Sequence, residues 1–145
     1  MHRFAVAVVT TLALLAPSAR AQNNQWRTQV EGYLERAAKT LSDKGYAQTH
    51  ETQVGSLADD ENDSFNLTLH AGTTYALVGV CDNDCSDLDL VLYDADGDQI
   101  DSDVQSDDVP IVSVTPSETM RYRVKVMMAV CKTNPCWYGI GVYGK

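Results

Sequence analysis

From Tyr122 onward, apolar side chains recur at every second position, Tyr122, Val124, Val126, Met128 and Val130, while Arg121, Arg123 and Lys125 take the positions between. A period of two belongs to a strand with one face against a core and one in water, so the chain has to supply a second apolar layer. Other stretches do so. Phe65, Leu67 and Leu69 alternate with Asn66, Thr68 and His70, and Leu88, Leu90 and Leu92 alternate with Asp87, Asp89 and Tyr93. Residues 75–80 are apolar on both faces, as a central strand is, and 137–143 reads as a closing strand. Weaker patterns mark a polar edge strand in 46–57, a short strand in 99–102 and one in 109–115, where Pro110 suits a sheet edge. Ala71-Gly72 turns the chain, and Asp94-Ala95-Asp96-Gly97 is a hairpin turn with glycine where positive φ is needed. Residues 59–63 read as a loop, and a second acidic loop ends at Asp107 and Asp108. About eight short strands at regular spacing predict an all-β fold, an antiparallel β-sandwich of jelly-roll type.

Before the first strand the period is helical. Trp26, Val30, Tyr33, Leu34, Ala37 and Leu41 are spaced by threes and fours, which predicts one amphipathic α-helix across 23–43. Asn23 or Asn24 is the expected cap and Gly45 the expected stop. Arg27 with Glu31 and Glu35 with Lys39 are i,i+4 pairs on its polar side. The expected role of this helix is to cover one face of the sandwich, with a partner-binding stripe as the sharper alternative.

Residues 1–21 have the make-up of a secretory signal peptide: Arg3, an apolar run over 4–16, and an Ala-x-Ala site at Ala19 and Ala21. The run is too short to span a hydrocarbon core about 30 Å thick, so no membrane insertion is expected. The organisation is therefore a leader over 1–21, a helix over 22–45 and a sandwich domain over 46–145, secreted to the periplasm or the cell exterior with cleavage after Ala21. Cleavage would leave 9 basic against 20 acidic residues, a net charge of about −11. Residues 45–120 hold 17 acidic side chains and no lysine or arginine, which excludes nucleic acid as a partner and favours cations or basic proteins.

Four cysteines in an exported chain point to two disulfides, and three pairings are possible. Local pairing, Cys81 with Cys85 and Cys131 with Cys136, is expected because each pair brackets one short inter-strand loop. Chain entropy alone favours crossing the two loops, at roughly 4 against 2 kcal/mol, so the choice rests on geometry. The first pair opens the densest stretch in the sequence, CDNDCSDLDLVLY at 81–93. On one reading Asp87 and Asp89 face outward, solvated or paired across strands with Arg121, Arg123 or Lys125. On the other, Asp82, Asp84, Asp87 and Asp89 offer calcium some of the roughly six to eight oxygens it takes. The first is expected, with no metal and no cofactor. His50 and His70 are the histidines left after cleavage, neither lies in a nucleophile motif, and the chain is expected not to be an enzyme. Asn62 and Asn66 each open an N-glycosylation sequon whose use the sequence leaves open.

Ser64 to Leu69, the Ala71-Gly72-Thr73-Thr74-Tyr75 turn, Asp87 to Asp94 with Gly97, and Tyr122 to Val126 together resemble the bacterial pre-peptidase C-terminal domain. The resemblance covers about residues 51–145 and implies a β-sandwich, an extracellular setting and binding to proteins or polysaccharides. The cysteine pairs and the helix are additions to that family's minimal pattern. The function expected is a secreted, non-catalytic binding or accessory domain for an extracellular protein or polysaccharide. The alternative is a structural subunit that self-associates into a surface layer or filament through the helix stripe or a strand edge near Pro110.

Overall fold

The computed structural model describes residues 19–145. Helix α1 (Ala19–Ser42) leads into nine strands: β1 (Ala47–Gln48), β2 (Gln53–Leu57), β3 (Asn62–Leu69), β4 (Tyr75–Cys81), β5 (Cys85–Tyr93), β6 (Gln99–Asp103), β7 (Ile111–Val114), β8 (Met120–Cys131) and β9 (Cys136–Gly144). They form two antiparallel sheets. One runs β1-β9-β4-β7 with β2 also on β9, and the other runs β3-β8-β5-β6. Successive strands switch sheets except at the β1–β2 connection and the β5–β6 hairpin, which is the jelly-roll path of an all-β sandwich.

The alternating residues build the core. Leu88, Leu90 and Leu92 from β5 and Tyr122, Val124, Val126 and Met128 from β8 are buried against Leu77, Ile140 and Val142 of the facing sheet. Each such side chain contributes about 1.5–3 kcal/mol on burial. β4 is buried at all seven positions, with Tyr75, Leu77 and Cys81 in the core between the sheets and Val80 on the other side beneath α1. The Tyr138 hydroxyl donates to Asp63 Oδ2 at 3.3 Å, tying β9 to β3 across the sandwich, and burial with the nearby Asp63 charge pushes its pKa up to about 12.

Val30 and Leu34 of α1 are buried with Val80, and Tyr33, Val54 and Trp137 pack around them. Gly139 makes this contact possible. A Cβ there would lie 2.6 Å from Val30 Cγ1 and 2.7 Å from Leu34 Cδ1, so only glycine lets the helix settle on β9. The helix ends in a Schellman-type turn, the Tyr46 amide donating to Leu41 O at 3.1 Å around Gly45 at φ 84°. Glycine also holds the two turns read from sequence, Gly72 at φ 79° and Gly97 at φ 90°. No helix among the described residues is long and apolar enough to cross a membrane.

Several expectations need correction. The helix starts at Ala19, so Asn23 and Asn24 lie inside it and do not cap it. The leader expected over 1–21 falls, apart from its last three residues, outside the described residues. Asn62 and Asp63 are not loop but the first residues of β3, drawn into the ladder opposite Met127 and Val126. The polar stretch 46–57 is two strands, separated where the His50 ring turns across to Thr68 O at 3.0 Å. Arg27 and Glu31 pair at 2.9 Å, whereas Glu35 and Lys39 form no ion pair and Arg36 lies over the Tyr33 ring instead. Val130 leaves the core: irregularities between Cys85 and Leu88 shift the ladder, Cys131 takes the inward position, and Val130 is 40% exposed.

Candidate functional site

The stretch 81–93 divides between two places. Its first half forms the end of the sandwich where the disulfides lie, joining Cys81 to Cys85 and Cys131 to Cys136. Cys85 stands opposite Cys131 in the β5–β8 ladder, so the two closed loops are neighbours. The two disulfides fit an extracellular or periplasmic location. Asp82, 1% exposed, fastens this end: its carboxylate accepts the Trp137 amide at 2.7 Å and the Asp84 amide at 3.1 Å, and its own amide donates to Trp137 O. Burial pushes its pKa up, and these backbone donors offset part of the rise. Asp82 is thus a structural clasp, and the Asp84 carbonyl serves the same end by accepting the Lys132 amide at 2.8 Å.

Beside this clasp lies a cleft of about 180 Å³ between the start of α1 and the 133–137 turn, with Trp26 and Trp137 on its walls and Asn23, Asp84, Thr133 and Asn134 among its polar lining. Both tryptophans of the chain meet here although they are far apart in sequence.

Asp87 and Asp89 face the other way, onto the outer surface of the β3-β8-β5-β6 sheet, and do not meet the cations expected for them. Asp87 stands opposite Val130 and Asp89 opposite Met127. Lys125 lies opposite Val91 and Ser64, Arg121 opposite Thr68, and the Arg123 guanidinium sits 4.2 Å above the Tyr93 ring. The ladder is regular from Leu88 to Tyr93, and its register itself places these cations two or more residues past Asp89 along β5, the bulge lying on the other side, toward Cys85. The β6–β7 loop comes alongside instead, its Asp107 carbonyl accepting the Leu88 amide at 3.0 Å.

The result is an acidic cluster. Asp89 is 6% exposed and makes no hydrogen bond or ion pair among the described residues, and its pKa is pushed up by burial and then by Asp87, Asp103 and Asp107. Asp87 is raised by burial and by Asp107, with some relief from the Ser106 hydroxyl, and its Oδ1 is buried without a partner. The calcium set read from sequence is therefore split, Asp82 and Asp84 at the end and Asp87 and Asp89 on the face. Among the described residues no three carboxylates, histidines or cysteines converge to hold an ion.

Exposed apolar side chains lie on the same flank of the fold. Every large apolar side chain exposed among the described residues, Ile100, Val104, Val109, Ile111 and Val130 at 40–61%, lies on β6, β7, the loop between them or the end of β8. A cleft of about 320 Å³ adjoins it, lined by Tyr33, Arg36, Ala37, Val80, Asp108 and Val109 among others. β6 closes this flank in a second way. Asp103 Oδ2 accepts the Ile111 amide at 2.9 Å and Asp101 Oδ2 the Ser113 amide at 2.7 Å, so β7 does not present those two donors as an open edge.

His50 is taken up in structure, with Nδ1 against Thr49 Oγ1 at 2.8 Å and Nε2 against Thr68 O at 3.0 Å; His70 is exposed. Asn62 and Asn66 are both exposed along β3. The alternation pointed to Asp87 and Asp89 facing outward, but nothing local pointed to Asp101 and Asp103 as edge caps or to the tryptophan pair, because these are contacts between distant segments. No protein-family model and no curated protein matches the chain.

Proposed function

We propose that this protein is a secreted, non-catalytic binding module that captures a basic segment of another extracellular protein on its β5–β6–β7 flank, after removal of a leader at Ala21. The observation that carries this is the coincidence of the five large apolar side chains exposed among the described residues with a group of like-charged carboxylates, Asp87, Asp89, Asp103 and Asp107. Isolated apolar residues on a surface are ordinary, but several on one flank of the fold beside one sign of charge have the make-up of an interface. Asp87, Asp107 and Asp108 supply the field for lysine or arginine, and the cleft beside Val109 has room for one apolar anchor. The likeness of residues 51–145 to pre-peptidase C-terminal domains supports an accessory role of this kind. The caps on β7 weigh against the alternative of a subunit polymerising through the edge near Pro110.

Calorimetric titration of the protein over residues 22–145 with a peptide of alternating lysine and leucine tests the reading, an alternating glutamate and leucine peptide being the control. The lysine peptide is expected to bind, to weaken about tenfold or more between low and physiological salt, and to weaken again in Val109→Ser and Asp108→Asn. Equal behaviour of the two peptides, or binding indifferent to both substitutions, would remove the basis for the proposal.

A further inference from the structure

We infer that the cleft between Trp26 and Trp137 is a saccharide subsite that takes one neutral pyranose ring. It lies at the disulfide-bearing end, shares no lining residue with the β5–β6–β7 flank or its cleft, and does not rest on the partner reading. A pyranose has an apolar face of axial C–H bonds, slightly positive at hydrogen, and a rim of hydroxyls that both donate and accept. An indole face is apolar and electron-rich, so it complements the C–H face, while carboxylates, amides and hydroxyls at the rim complement the hydroxyls. This cleft has both parts. The two indoles are half-buried, and the cavity of about 180 Å³ is on the scale of one ring.

The polar rim is unspent. Asn134 Oδ1 accepts the Asp59 amide at 2.7 Å, which fixes the amide orientation and leaves its NH2 free to donate. The Asp84 carboxylate and the Thr133 hydroxyl have no hydrogen-bond partner among the described residues, nor does the Asn23 side chain. One donor group, one anionic acceptor and two groups that can serve either way therefore converge beside two aromatic walls.

The walls are held before any ligand arrives. Trp137 is fixed through both its backbone amide and carbonyl by Asp82 and follows directly on the Cys131–Cys136 disulfide. Trp26 stands one turn before Val30, which is fully buried against Gly139. Such preorganisation lowers the ordering cost of binding a small, hydrated ligand. Asp84 and the net negative charge select against uronic acids and other anionic sugars.

The test uses tryptophan emission, since both tryptophans of the chain stand in the cleft and report on it directly. The protein is titrated with cellotriose and with triacetylchitotriose, two sources of a neutral pyranose that differ at the 2-position, and with trigalacturonic acid as the anionic control. A saturable change is expected with at least one neutral trisaccharide, at a Kd of about millimolar order. Asp84→Ala and Trp26→Ala are each expected to weaken it about tenfold, and Trp26→Phe to recover part of the loss. Asp84 contributes no side-chain bond to the fold, so it decides the matter alone if Trp26→Ala loses its far-ultraviolet dichroism. The inference is overturned if neither neutral trisaccharide moves the emission, if the response survives Asp84→Ala unchanged, or if the anionic control binds equally well.

Discussion

Replacing Asp89 by asparagine is expected to stabilise this protein at neutral pH. Asp89 is 6% exposed, its carboxylate has no hydrogen-bond partner among the described residues, and it shares its surroundings with Asp87, Asp103 and Asp107. Burial, then those three charges, raise its pKa. A carboxyl with a raised folded pKa binds its proton more tightly in the folded state. Its contribution is therefore most favourable below the unfolded pKa of about 3.9 and declines as pH rises through the folded value. Asparagine has the same shape, cannot ionise, and brings an NH2 within a cluster where Asp87 Oδ1 lacks a donor.

Desolvation among like charges costs an ionised carboxylate about 1–3 kcal/mol, here reduced because the Asp89 oxygens keep some contact with water while Asp87 Oδ1 does not. Asparagine remains a buried polar residue and keeps part of that cost, so the net gain at pH 7 is about 1–2 kcal/mol. For a domain of this length that is a rise in Tm of about 3–10 °C. Urea unfolding followed by tryptophan emission at pH 7 and again near pH 4 measures both the gain and its decline. A variant less stable than the parent at pH 7, or a gap that does not narrow in acid, would refute the reasoning. So would a parent that overtakes Asp89→Asn when calcium is added, because the carboxylate would then have a partner after all.

Three further outcomes are expected. Gly139→Ala places a methyl group 2.6 Å from Val30 Cγ1 and should cost about 1–3 kcal/mol in urea unfolding by lifting α1 from β9; an unchanged midpoint would show that the helix is not seated there. Reducing both disulfides, which close loops between residues four and five positions apart, should lower stability by about 2 kcal/mol each in the chain-entropy model, and a loss well below that in calorimetry would put the stabilisation elsewhere. Asp101→Ala together with Asp103→Ala frees the Ile111 and Ser113 amides on the β7 edge, and light scattering should then show concentration-dependent association that the parent lacks; a double variant as monodisperse as the parent would count against the caps.

The core was readable in advance because alternation is a local signal: Leu88, Leu90 and Leu92, and Tyr122 through Met128, follow directly from the pleat. The glycine turns were readable for a similar reason, since Gly45, Gly72 and Gly97 occupy positions where other residues are strained. What escaped depends on register. Alternation alone places Val130 in the core, and whether Asp87 and Asp89 are solvated or paired with Arg121, Arg123 or Lys125 depends on which residues stand opposite them, which are Val130 and Met127. A bulge moves every later pairing by one residue and leaves no mark on composition. Asp82 reads locally as a ligand of the same kind as Asp84, and only its position opposite Trp137 turns it into a clasp.

The place of β9 in its sheet bears on how the protein is made. β9 lies between β4 on one side and β1 and β2 on the other, with α1 packed over it, yet it follows all of them in the chain. Until β9 is made, the helix lacks most of its seat, β1 and β2 have no partner strand, and one edge of β4 stays open. Assembly of this half of the sandwich is therefore a single late event. A nascent chain cut anywhere before β9 is a client for chaperones and proteases, with no smaller version of the fold to fall back on.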